Sequence, residues 1–145
     1  MNENFLGSDL SESNFAKANM AFSNLRKTDF TGSVLAGAVF DRAMLNSSSL
    51  QHALLVYADL SHAHLHEANL TDADLSDATL TNANLDYAHA EGARMLCVHL
   101  EKADLRQAHL EGADLRGCHW DEFTMWPEGI GPLNPNQGEF HEVGG

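Results

Sequence analysis

The chain has 145 residues, 43% hydrophobic, 8% aromatic and 20% charged, a length that suits one domain with its own core. Eight Lys+Arg stand against 21 Asp+Glu, and the formal net charge of −13 argues against direct nucleic-acid binding and against an anionic membrane as partner. No run approaches the roughly 20 apolar residues of a membrane span, and Cys97 and Cys118 are too few for a disulfide scaffold. The opening MNENFLGSDL lacks a positive n-region and an apolar h-region, so a cytoplasmic location is expected.

From Phe5 onward every fifth residue is large and apolar as far as Trp120, with Ala90 the exception. These 24 centres comprise 16 Leu, Phe5, Phe15, Phe30, Phe40, Met20, Met95, Trp120 and Ala90. Two residues before each centre, at the 23 positions from 8 to 118, sit 15 Ala, five Ser, Thr28, Val98 and Cys118. A period of five fits neither regular element. Residues five apart on a helix lie about 140° from alignment, and in a strand successive centres would point to opposite faces. Every centre reaches one dry axis only if the chain turns once per five residues, with the small residue two positions earlier also pointing inward.

The recurring triplets Ala58-Asp59-Leu60, Ala68-Asn69-Leu70, Ala73-Asp74-Leu75, Ala83-Asn84-Leu85, Ala103-Asp104-Leu105 and Ala113-Asp114-Leu115 resemble the A-[D/N]-L-x-x motif of the pentapeptide-repeat family. The resemblance covers residues 3–122. It implies an all-β, right-handed quadrilateral β-helix of about six coils, four pentapeptides and 20 residues to a coil. At about 4.8 Å per coil such a rod is roughly 29 Å long. Residues 20 apart then stack, so one interior ladder reads Leu25, Leu45, Leu65, Leu85, Leu105, and another reads Leu10, Phe30, Leu50, Leu70, Ala90, Leu110. Ala90 is the expected weak point of the core, and Val98 at a small position suggests local repacking.

The chain thus divides into a β-helix over 1–122, a C-terminal cap over 123–130 and a flexible acidic tail over 131–145. Phe123 and Trp126 are the expected anchors of the cap. Its Thr124-x-Trp126-Pro127-Glu128-Gly129 stretch is similar to the closing segment of family members from photosynthetic bacteria. Repeats begin almost at Met1, so Phe5 and Leu6 are expected at an open edge that leaves the chain a monomer or a weak end-to-end homodimer through its N-terminal coil.

Outward carboxylates include Asp59, Glu67, Asp72, Asp74, Asp77, Asp86 and Glu91, with no Lys or Arg between Arg42 and Arg94. Such charge keeps exposed β-edges from stacking into fibres. The family resemblance adds a second reading, because some members bind type II topoisomerases such as gyrase in place of DNA. His89, His99, His109 and His119 occupy the position before a centre, and 20-residue stacking sets His89 over His109 and His99 over His119. Two stacked rings offer two ligands where zinc asks for three or four, so no metal and no other cofactor is expected. Cys118 points inward and Cys97 lies on a turn, which disfavours a bridge.

Val34, Leu54, Val56 and Tyr57 fall on one face, with Leu96 in an adjoining ladder, and form the candidate face for an unidentified protein partner. No G-x-S-x-G, H-E-x-x-H or G-x-x-x-x-G-K-[ST] motif occurs, and a leucine-filled interior leaves no room for a catalytic pocket. The reading is a non-enzymatic protein-interaction scaffold, with a DNA-mimicking topoisomerase modulator as the alternative.

Overall fold

A computed structural model of the chain describes residues 2–131. Met1 and nearly all of the expected acidic tail, 132–145, lie outside the described residues. No helix of the described residues is long and apolar enough to cross a membrane.

The repeat Leu70–Asp74 shows how five residues make a unit. Leu70 N donates to His89 O at 2.5 Å and Asp72 N to Glu91 O at 3.0 Å, both toward the following coil. Asp74 N donates to Ala53 O of the preceding coil at 3.0 Å, and Ala73 N donates to Leu70 O at 3.0 Å, closing a turn. The fifth donor, Thr71 N, has no carbonyl in reach and is accepted by Asn69 Oδ1 at 3.0 Å. All five N–H groups of this repeat are thereby satisfied, as a packed interior demands. The same side-chain acceptor recurs where the residue before the centre is Asp or Asn, for instance Asp59 to Ser61 N and Asn84 to Asp86 N.

The third residue of nearly every turn carries a positive φ, 55° at Asp72 and 68° at Gly92, the signature of a type II turn, with Gln107 the exception along the repeat. One such turn per five residues redirects the chain so that the next centre again faces inward. Parallel bridges then join residues 20 apart without interruption from Asn4↔Asn24 to His99↔His119. The product is a β-helix solenoid in which each coil contacts its neighbours. Leu25, Leu45, Leu65, Leu85 and Leu105 are all buried in its core, as are Ser23, Ala43, Ala63, Ala83 and Ala103 two residues before them.

Core filling differs along the axis. Near the N-terminus Phe15, Phe30 and Phe40 meet edge-to-face at centroid distances of 6.1 Å, the favoured arrangement of ring quadrupoles. Inward hydroxyls replace alanine methyls there, and Thr28 Oγ1 donates to Phe5 O at 2.8 Å while Ser33 Oγ donates to Leu10 O at 2.7 Å. Ala90 is fully enclosed although its side chain is short, with Met95 and Val98 also buried. The Val98 N to Met95 O turn bond, 3.5 Å, is the longest of the turn bonds among the described residues, so the backbone gives way where the bulkier side chain enters.

The two ends are unlike. Phe5, Leu10, Phe15 and Ala18 are only partly buried, and Leu6 is 53% exposed. At the other end the pattern does not stop at Trp120. One extra residue shifts the register, so that Asp104 bridges Met125 rather than the residue 20 further on. Thr124 takes the small inward position, where its hydroxyl donates to Leu100 O at 2.9 Å, and Trp126 takes the centre and packs on the core with Ile130. This corrects the expected anchoring: the shift moves Phe123 onto the turn, where it is 58% exposed, leaving Trp126 as the anchor. Asp121 organises the change, accepting from Lys102 N and Phe123 N through Oδ1 while its own N–H donates to the Thr124 hydroxyl.

Candidate functional site

With the interior filled, everything available for recognition lies on the outer faces, where side chains stand in columns with a 20-residue repeat. The acidic residues spread over different columns. Asp59 and Asp74 accept turn N–H groups of Ser61 and Ser76 at 3.0 Å, Asp86 accepts from Gln107 N at 3.1 Å, and Glu67 lies 3.3 Å from Ser47 Oγ. Asp74 also pairs with Arg94 at 3.6 Å, and Asp72 stands 3.9 Å from His52. Much of the negative charge therefore finishes the backbone hydrogen bonding of its own coil or has a neighbour of opposite sign. Asp77 sits at the left-handed third position of its turn with φ 58°. At the C-terminal end, Arg106 grips Asp104 and Arg116 grips Asp114 through paired hydrogen bonds of 2.6–2.9 Å. Those donors hold both carboxyls below the usual aspartate range despite partial burial.

One face breaks the polar pattern. Val34 and Leu54 are bridge partners, and Val56 and Tyr57 follow Leu54 within the same repeat. Tyr57 is 70% and Leu54 46% exposed. Neither Val34 nor Leu54 can accept the turn N–H that an Asn or Asp would take, so their presence gains nothing for the local backbone. Leu96 does not join them. It shares a column with Val56, but Ser76 lies between, flanked by Asp74 and Asp77. The structure thus groups four of the five predicted residues. Exposed aromatics absent from that prediction are Phe22, with the Arg42 guanidinium 5.6 Å from its ring centre, and Tyr87, edge-on to His66 at 5.6 Å. Both occupy turn positions, where a five-residue pattern places no constraint on side-chain type.

Two imidazole stacks stand where the 20-residue register puts them. His89 and His109 lie 4.7 Å apart with planes 3° from parallel, and His99 and His119 lie 4.4 Å apart at 9°. Each stack also has a carboxylate. His89 Nδ1 is 3.3 Å from Glu91 Oε1, and His99 Nδ1 is 3.3 Å from Glu101 Oε1. Donor atoms of His89, Glu91 and His109 all fall within 4.8 Å of one another, so the two-ligand count expected for that stack becomes three. The signal was present in the sequence as His-x-Glu at 89–91, 99–101 and 109–111. The cysteines are both free, Cys97 exposed and Cys118 buried, and burial pushes the Cys118 thiol up to about 12.

These features define a parallel β-helix built on a five-residue repeat, with its variable chemistry confined to the outer columns. The pentapeptide-repeat family model matches eight copies spanning residues 4–32, 23–56, 48–82, 58–95 and 83–119, and the chain belongs to that family. Among solved structures, HetL, a pentapeptide repeat protein involved in heterocyst differentiation regulation in the cyanobacterium Nostoc sp. strain PCC 7120, aligns with a TM-score of 0.64 and 27% identity. That alignment covers 82% of this chain and 56% of HetL, so the chain spans little more than half of that relative's length. Rfr23, a pentapeptide repeat protein from the cyanobacterium Cyanothece 51142, is 31% identical over 86% of this chain and 88% of its own, with a TM-score of 0.47. QnrB1, a plasmid-mediated fluoroquinolone resistance protein, shares the fold at a TM-score of 0.50 and 16% identity, covering 88% of this chain and 78% of that one. No curated protein matches the sequence.

Proposed function

We propose that this chain is a non-enzymatic, cytoplasmic protein-interaction scaffold whose right-handed rod of about six coils presents rigid faces to a protein partner. The observation that carries the reading is the apolar group in which Leu54 and Tyr57 are exposed and Val34 and Val56 stand half-buried beside them, at positions where Asp, Asn, Ser or Thr is common elsewhere on the rod. Because hydrogen bonds to both neighbouring coils hold this face, docking on it orders little that is not already ordered. HetL, a family member involved in a regulatory process, fits a role in recognition rather than turnover. The test is a Leu54→Lys, Tyr57→Lys double variant: the scaffold reading expects an unchanged β-type circular dichroism spectrum and loss of the proteins crosslinked to the wild type in its native lysate. Unchanged crosslinking would remove this face from the function.

A second reading, modulation of a type II topoisomerase by charge mimicry, draws on the net charge of −13. It predicts inhibition of gyrase supercoiling that weakens steeply between 50 and 200 mM salt, roughly the range over which screening acts on exposed charges. The partly buried Phe5, Leu10 and Phe15 and the exposed Leu6 favour weak end-to-end pairing of two copies. A sedimentation coefficient independent of concentration would exclude that pairing.

A further inference from the structure

We propose that His89, Glu91 and His109 form a surface site for one divalent transition-metal ion of the zinc, nickel and copper class, stapling two consecutive coils. The two imidazoles come from neighbouring coils joined by the His89↔His109 bridge, and the carboxylate comes from the same repeat as His89. Two imidazoles and one carboxylate with open positions form a ligand set that these metals accept, a water completing the coordination.

Glu91 marks this stack out from its sibling. In the sibling, Glu101 Oε2 already accepts from Thr81 Oγ1 at 3.4 Å, which ties down the second carboxylate oxygen. Glu91 Oε2 is shielded from solvent, yet no other residue donates to it. A shielded carboxylate oxygen without a donor is an unfavourable arrangement, and a cation beside it removes the cost. The next repeat differs as well: Glu111, one coil beyond Glu91, stands exposed beside His109, whereas the equivalent Asp121 is committed to the closing turn. Among the described residues, the cluster of His89, Glu91 and His109 is the one whose donor atoms converge.

Both rings can hold one ion only by leaving the stacked arrangement. Nitrogens held about 2.1 Å from one tetrahedral ion lie roughly 3.4 Å apart. The rings, 4.7 Å apart at their centres, must therefore tilt toward each other. Both side chains are exposed and free to do so. Binding consequently opens the stack, which gives a readout independent of affinity.

Chelator-stripped protein is titrated calorimetrically with zinc chloride and, separately, nickel chloride. One tight equivalent is expected, with a raised melting temperature. His109→Ala and Glu91→Gln should each weaken binding by more than about tenfold, since loss even of a group supporting a ligand costs that much. His119→Ala should leave it unchanged. In proton NMR, zinc should shift the ring resonances of His89 and His109 and leave those of His99 and His119 in place. No uptake, wild-type affinity in His109→Ala, an equal loss in His119→Ala, or equal movement of both pairs of rings would each overturn the assignment. All three variants change surface side chains, and matching melting curves without metal verify their folds.

Discussion

Replacing Leu65 by Ala tests the solenoid at its middle. Leu65 is fully buried between Leu45 and Leu85 in one ladder. Truncation removes three carbons from the core, worth about 2.5 kcal/mol in transfer free energy alone. The coils cannot settle into the gap, because Leu65 N to Asn84 O at 2.7 Å and Leu45 N to His64 O at 2.8 Å fix their separation on both sides. The cavity term therefore remains, and the loss should reach roughly 3–5 kcal/mol. Leu10, by contrast, is only partly buried in the first coil. Its truncation leaves a surface dimple rather than a void and should cost about 1 kcal/mol. Urea titrations followed by circular dichroism read both, with the midpoint moving and the slope unchanged. Thermal midpoints should fall by roughly 6–20 °C for Leu65→Ala at the 2–4 °C per kcal/mol typical of this size. Equal losses at Leu65 and Leu10, or a Leu65→Ala cost below about 1.5 kcal/mol, would mean that the ladder does not carry the fold.

Asn84→Ala strands the Asp86 N–H that its Oδ1 accepts at 2.9 Å, and a loss of about 0.5–1.5 kcal/mol with faster amide exchange at Asp86 is expected. Asp104 and Asp114 are held below the ordinary range first by their hydrogen bonds from Arg106 and Arg116. Lowered folded values mean stabilisation that is complete above the unfolded pKa of about 3.9 and fades as pH falls through the folded ones. Acid titration of the double Arg106→Gln, Arg116→Gln variant should show a shallower decline below about pH 4 than the wild type. Iodoacetamide at pH 8 should modify Cys97 alone in the folded protein, because Cys118 is buried with its thiol at about 12, and mass spectrometry after brief exposure counts the adducts. Two adducts on folded protein would show that the last coil opens.

Repetition made most of the fold legible. A five-residue spacing of leucines cannot satisfy a helix or a flat strand, so the interior ladders and the stacking of His89 on His109 could be stated from residue numbers. The same regularity misled at its margin. Trp120 ends an unbroken count, and nothing in the letters Asp121-Glu122-Phe123 reveals that one residue will be absorbed in a turn. Glu91 was likewise visible as an outward acid, while its place beside two imidazoles depends on side-chain directions within the coil.

The order of residues by itself determined which side chains are inside, because burial here follows a count of five and each inward position permits few residue types. The same count places outward side chains in columns, but tertiary structure alone decided which further groups each column meets. Outer positions tolerate almost any residue, so the separation of Leu96 from the apolar group and the difference between Glu91 and Glu101 arise from coil-to-coil contacts in space. Spacing along the chain encodes burial and column, whereas side-chain direction within a coil decides the contacts between columns.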